Sequence, residues 1–158
     1  MPYNSRILSL DRVPQAFPVI QTLTDLSLQR WHQYATLRLA SRESNPESAG
    51  IVAIENDRGY IHGLFGYRTD FDLKCGRVLL CEYLVALGML DSGPIFERLV
   101  STMEDIARDR DCRAIHVRVP LGSFSASDGS TKLTNLLQTA GHTAETMELC
   151  RPLTRDHA

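Results

Sequence analysis

The period of the apolar positions changes several times along the chain, and each change marks an element. Residues 77–87, RVLLCEYLVAL, are apolar almost throughout with no clean polar alternation, which predicts a strand covered on both faces. Glu82 is a charge inside that run. After the turn GMLDSGP, Gly93 suits an N-cap and Pro94 the first helical position, where its missing N–H would have no partner anyway. The helix that follows carries Ile95, Leu99, Met103 and Ile106 at three- and four-residue spacing, widened by Phe96, Val100 and Ala107. Glu97, Glu104, Asp105, Arg108 and Asp109 fill its other face, and Cys112 ends it. In AIHVRVP, residues 114–120, Ile115, Val117 and Val119 alternate with His116 and Arg118, so a second strand is expected. Strand, helix, strand in this order gives a parallel pair whose crossover helix offers its amino end to a phosphate-bearing ligand.

The rest of the chain supplies the remaining layers. Residues 5–10 are a short strand candidate, and Asp11 can cap a helix through Phe17, Ile20 and Leu23, interrupted near Pro18. A second helix over 26–40 turns Trp31, Tyr34, Leu37 and Leu39 toward the core. Two strands, GIVAIEND and GYIHGLFGYRTD, meet at a compact hairpin around Asp57, Arg58 and Gly59, and Gly76 turns the chain into the central strand. Residues 131–140 predict a short helix with Gly141 as its cap, and HTAETMELCRPL a strand that closes the sheet. These elements make one α/β (α+β) domain over 1–158, with a mixed, mostly antiparallel sheet and helices on both faces.

Composition narrows the function classes. A formal charge of −2 gives no global basic field for nucleic acid or an acidic membrane. No apolar run is long enough for a membrane span, and the amino terminus has no secretory pattern, so a soluble, cytoplasmic protein is expected. Cys75, Cys81, Cys112 and Cys150 have no paired spacings, which reads as reduced, mostly buried thiols and no metal site.

The element order, together with EYLVALGMLDSGPIFERLV and LLQTAGHTAETMELCRPL, resembles the GNAT superfamily of N-acetyltransferases over nearly the whole chain. The resemblance implies acetyl-CoA as acyl donor, with backbone groups of Leu84, Val85, Ala86 and Leu87 on the pantetheine arm. The loop and helix start at Asp91, Ser92, Gly93, Ile95 and Phe96 would face the pyrophosphate. Asp91 stands where that family carries Arg or Gln, and Pro94 and Phe96 fall on its two small positions. In the alternative register Gly93 matches and Leu90 and Ile95 fill the others. The family's catalytic Tyr falls on Leu137 and the preceding Asn on Ser130.

Candidate chemistry follows from that alignment. Glu82 matches a carboxylate that can take the proton of an attacking amine, and burial would raise its pKa toward neutrality. The competing assignment is an ion pair with an arginine such as Arg118. His116 is a second base or substrate contact, against the plainer reading of a half-exposed strand histidine. Tyr34 and His32 would line the acceptor pocket, with Trp31 mainly structural. The expected function is acetyl transfer to a small-molecule or peptide amine by direct attack in a ternary complex. A noncatalytic ligand-sensing or protein-interaction module is the alternative. A single closing strand would make pairing into a homodimer plausible.

Overall fold

The computed structural model describes residues 3–45, 48–87, 93–119 and 129–153. Its sheet has five strands in sequential order: β1 (Asn4–Ile7), β2 (Ala49–Glu55), β3 (Ile61–Asp72), β4 (Gly76–Ala86) and β5 (Ala114–Arg118). The first three neighbouring pairs are antiparallel and β4–β5 is parallel. Both hairpins turn where the sequence places a glycine at positive φ, Gly59 at 81° and Gly76 at 83°. Asn56 tightens the first by accepting the N–H groups of Arg58 and Tyr60 on Oδ1, both at 3.0 Å.

Helices cover both faces because β2, β3 and β4 are apolar on both. On one face, α1 (Val13–Ile20) and α2 (Leu28–Ser44) pack Val13, Ala16, Ile20, Trp31 and Ala35 against Ile51, Ala53, Leu64 and Val85. Trp31 donates its indole N–H to the Val13 carbonyl at 2.7 Å, so it ties the two helices together. On the other face, α3 (Gly93–Asp109) and Leu137 of α4 (Gly129–Thr139) bury Ile95, Phe96, Leu99 and Met103 against Phe65, Tyr67, Leu79 and Leu84. Gly63 lets α3 settle close to the sheet: a Cβ there would lie 2.8 Å from both Ile95 Cγ2 and the Val85 carbonyl oxygen.

Four expectations are corrected. The first helix is preceded by a 3-10 turn, Leu10–Arg12, and keeps Pro18 inside it, giving up the N–H that this position would have donated to the Pro14 carbonyl. Leu37 is exposed rather than core-facing, since the stripe of α2 follows Trp31 and Ala35. Residues 142–153 form no strand: Met147, Leu149 and Leu153 lie exposed, and side-chain ion pairs Lys74–Glu145 (3.3 Å) and Arg118–Glu148 (2.9 Å) hold the segment instead of a backbone ladder. Of the cysteines, Cys81 is buried, Cys75 and Cys112 are partly buried and Cys150 is exposed, all as free thiols. Among the described residues, no helix is long and apolar enough to cross a membrane.

Candidate active site

The parallel ladder between β4 and β5 begins at Val78–Ala114 and stops at Glu82–Arg118, while β4 runs on against β3 to Ala86. The two strands therefore part just beyond Glu82. At the same level β4 bulges: Leu64 pairs with Val85 but Gly66 pairs with Glu82, so Tyr83 and Leu84 together stand opposite Phe65. Tyr83 takes φ +55°, a left-handed conformation that costs a residue with a Cβ about 1–2 kcal/mol. Its ring is held edge-on to Tyr34, with centroids 5.2 Å apart.

Beyond Glu82 the β4 side chains belong to the core, so what they leave to a ligand is backbone. Leu84 is buried toward α3 and Val85 toward the α1–α2 face, so neither offers its side chain to a ligand. The Leu87 N–H is already donated to the His62 carbonyl at 2.7 Å. Because alternate residues of a strand turn their N–H and C=O groups to opposite edges, those of Ala86 and Leu84 face the gap left by β5. The phosphate-facing loop expected at Asp91 and Ser92, with Leu90, lies outside the described residues. Gly93 opens α3 as expected, but the side chains of Ile95 and Phe96 enter the core, so any contact they make with a ligand is through backbone N–H groups.

Glu82 lies at the root of the split, 3% exposed. Its Oε1 accepts the Tyr34 hydroxyl at 2.9 Å and Arg38 Nη2 at 2.5 Å, and its Oε2 accepts Arg118 Nη1 at 3.0 Å. Burial alone would raise the carboxyl pKa, but the hydrogen bonds from Arg38 and Tyr34 and the charges of Arg38 and Arg118 outweigh it, and the net shift is downward. The rise toward neutrality expected from burial is thus corrected: the surroundings keep Glu82 an anion. Tyr34 shifts the other way, its pKa raised by burial and by the Glu82 charge, so it stays a phenol and donates. Arg38 stacks its guanidinium over the Tyr34 ring at 5.2 Å. Gly66 makes this possible, since a Cβ there would sit 1.9 Å from the Tyr34 hydroxyl oxygen.

The structure brings together Glu82, Tyr34 and Arg118, and it adds Arg38 and the Tyr83 bulge, which the sequence reading missed. Tyr34 and Arg38 are four residues apart on one helix face, and that spacing beside a buried strand acid was the available signal. His32 is exposed on the outer side of α2, where Thr36 Oγ1 lies 3.5 Å from its Nδ1, away from Glu82. His116 pairs with Leu80, one side-chain repeat back from Arg118, and its ring is grouped with Asp72 and Cys75. Leu137 is buried in the α3-side core and has no proton to give.

No family model matches the sequence, and no curated protein matches it. Solved structures match the fold across its length. Glucosamine-6-phosphate N-acetyltransferase from Arabidopsis thaliana superposes with a TM-score of 0.71 over 98% of this chain and 100% of its own, at 12% identity. Ribosomal-protein-alanine N-acetyltransferase from Brucella melitensis biovar Abortus 2308 gives 0.68, covering 95% of this chain and 99% of its own at 16% identity. Aminoglycoside N-acetyltransferase AAC(6')-Iy, solved with CoA, gives 0.71, covering 98% and 95% at 13% identity. The architecture is the GNAT fold, with its mixed sheet and parallel β4–β5 pair. At these identities the likeness is one of fold.

Proposed function

We propose that the protein is an acyl-CoA-dependent N-acyltransferase that moves an acetyl group to a primary amine. The observation that carries this is the split itself: β4, bulged at Tyr83, continues to Ala86 after its ladder with β5 has ended, and strand alternation turns the Leu84 and Ala86 backbone toward that edge. Those groups fit an amide-bearing arm laid along β4 as a substitute strand. Bound acetyl-CoA would supply the activated thioester. The helix start at Gly93, Ile95 and Phe96 would offer backbone N–H groups to its phosphates, while Pro94 has none to give and Asp91 adds a like charge, so weak affinity is expected.

Glu82 serves this reading as a fixed anion rather than as a proton acceptor. Both of its oxygens are engaged, and its surroundings favour the charged form. It orients Tyr34, Arg38 and Arg118 at the root of the split, where the amine would meet the thioester. The amine's proton then leaves to water, and solvent protonates the departing thiolate, because Leu137 cannot. The same two facts, a saturated Glu82 and an apolar Leu137, favour the second reading of a noncatalytic CoA-sensing module.

Thermal denaturation with acetyl-CoA, with CoA and with neither tests the first step. A ligand bound by the native state at a hundredfold excess over Kd stabilises by about 2.7 kcal/mol, an obvious shift in Tm. Stabilisation followed by CoA release with a panel of primary amines supports the transferase; stabilisation without turnover supports the sensor. No stabilisation by either nucleotide would sink both.

A further inference from the structure

The pairing of β4 with β5 has a second effect toward the end of β4 away from the split. It brings His116 to the turn that joins β3 to β4, where Asp72 and Cys75 sit. One ligand atom from each residue, a carboxylate oxygen, a thiol sulfur and an imidazole nitrogen, lies within 4.8 Å of the other two, and all three residues are partly buried. We propose that Asp72, Cys75 and His116 form a binding site for a divalent transition metal, with zinc the ion their chemistry suits best. This does not rest on the acyltransferase reading.

The donor set is what distinguishes the cluster from an ordinary patch of surface acids. Oxygen, sulfur and imidazole nitrogen together are the ligands of zinc and its neighbours, whereas calcium and magnesium take oxygen alone. Charge balances as well: one carboxylate, one thiolate and one neutral imidazole cancel a divalent ion, and the thiol proton leaves to solvent on binding.

Two of the ligands are already oriented. Asp72 Oδ1 accepts the N–H groups of Lys74 at 2.8 Å and Cys75 at 2.7 Å, which fixes the carboxylate in the turn. Gly76, at φ +83°, makes the reversal that places Cys75 beside Asp72. The one competing cation in the turn, Lys74, is drawn aside to Glu145 at 3.3 Å. Zinc–ligand bonds of about 2.0–2.3 Å put tetrahedral donors roughly 3.3–3.8 Å apart, so closure needs about 1 Å of side-chain rotation. Three protein ligands leave the fourth position to water. Nothing in the spacing announces the site, since its histidine comes from a different strand, which is why the cysteine pattern reads as metal-free.

Cobalt titration of untagged protein carrying Cys150→Ser, which removes the exposed thiol, tests the proposal. The expected result is one equivalent of Co2+ bound with a thiolate-to-cobalt charge-transfer band, displaced by Zn2+, and a Tm raised by Zn2+. Cys75→Ser should abolish the band. Asp72→Asn, which keeps the oxygen acceptor of the turn, and His116→Ala should each weaken binding at least tenfold. No band in the parent protein, or a band unchanged by Cys75→Ser or by His116→Ala, would overturn it.

Discussion

Two carboxylates are buried in this sheet, each held by two arginines, and they do different things. Glu55, at the end of β2, is paired with Arg6 Nε at 2.7 Å and Arg12 Nη2 at 2.8 Å. Glu82, in β4, is paired with Arg38 and Arg118. Glu55 is the last residue of its strand, where both ladders finish together, at Asn4 of β1 and, after a register shift, at Ile61 of β3. Around Glu82 one ladder ends, the strand bulges and a backbone edge opens. A buried, ion-paired acid is therefore not in itself a sign of a site. What marks Glu82 is that its strand runs on to Ala86 along one partner after the ladder to the other has ended.

The largest expected effect comes from removing each charge in turn. Glu82→Gln leaves Arg38, whose side chain is 17% exposed, without its counter-ion, and should lower stability by about 3–5 kcal/mol. Glu55→Gln should cost less, about 1.5–3 kcal/mol, because Arg6 at 68% exposure and Arg12 at 26% can rehydrate. Denaturant melts of the two variants check the order. Equal losses would mean that the exposure of the paired arginines makes no difference. A Glu82→Gln protein as stable as its parent, with turnover cut by roughly 10²–10⁴, would restore Glu82 as the general base.

A glycine sharpens the contrast at the next level. Gly66→Ala should cost about 1–3 kcal/mol by driving a methyl group into the Tyr34 hydroxyl. The loss should shrink in the double variant Gly66→Ala with Tyr34→Phe, which gives the methyl group room. If the two changes simply add, Gly66 supports something other than the Tyr34–Glu82 contact.

The parts of the molecule legible in the sequence are those where one strong period decides. RVLLCEYLVAL and the Ile95, Leu99, Met103, Ile106 stripe located β4 and α3, and with AIHVRVP they implied the parallel pair. The closing strand failed because alternation at Met147 and Leu149 says what a strand would look like, not whether an edge is there to pair in register; here side-chain ion pairs hold the segment instead. Within the site, Glu82 was visible as a charge in an apolar run. Tyr83 was not, because a bulge built on a tyrosine carries no glycine or proline. Arg38 was hidden on a helix read for its apolar stripe. Asp72, Cys75 and His116 meet only through strand register.

Acid sets up the next test. Because the folded-state pKa of Glu82 lies below its ordinary value of 4.5, the unfolded chain binds the proton more readily as pH falls. The contribution of Glu82 to stability is thus full above about pH 4.5 and is lost as pH drops through the lowered value. Stability measured from pH 6 downward, about where the ordinary carboxylates begin to titrate, should fall less steeply in Glu82→Gln than in the parent. Parallel acid limbs would show that Glu82 has no depressed pKa in the folded protein.

The smallest effect isolates one hydrogen bond. Tyr34→Phe keeps the ring stacked on Trp31, with centroids 5.8 Å apart, and edge-on to Tyr83, and it leaves both arginines on Glu82. It removes the 2.9 Å donor alone. The expected loss is about 1 kcal/mol at neutral pH, since the carboxylate oxygen it served still accepts Arg38. That donor is also one of the groups that lower the Glu82 pKa, so the loss should shrink as pH falls and Glu82 takes up its proton. A Tyr34→Phe protein that loses as much stability at low pH as at neutral pH would show that the phenol stabilises its helix, not the anion.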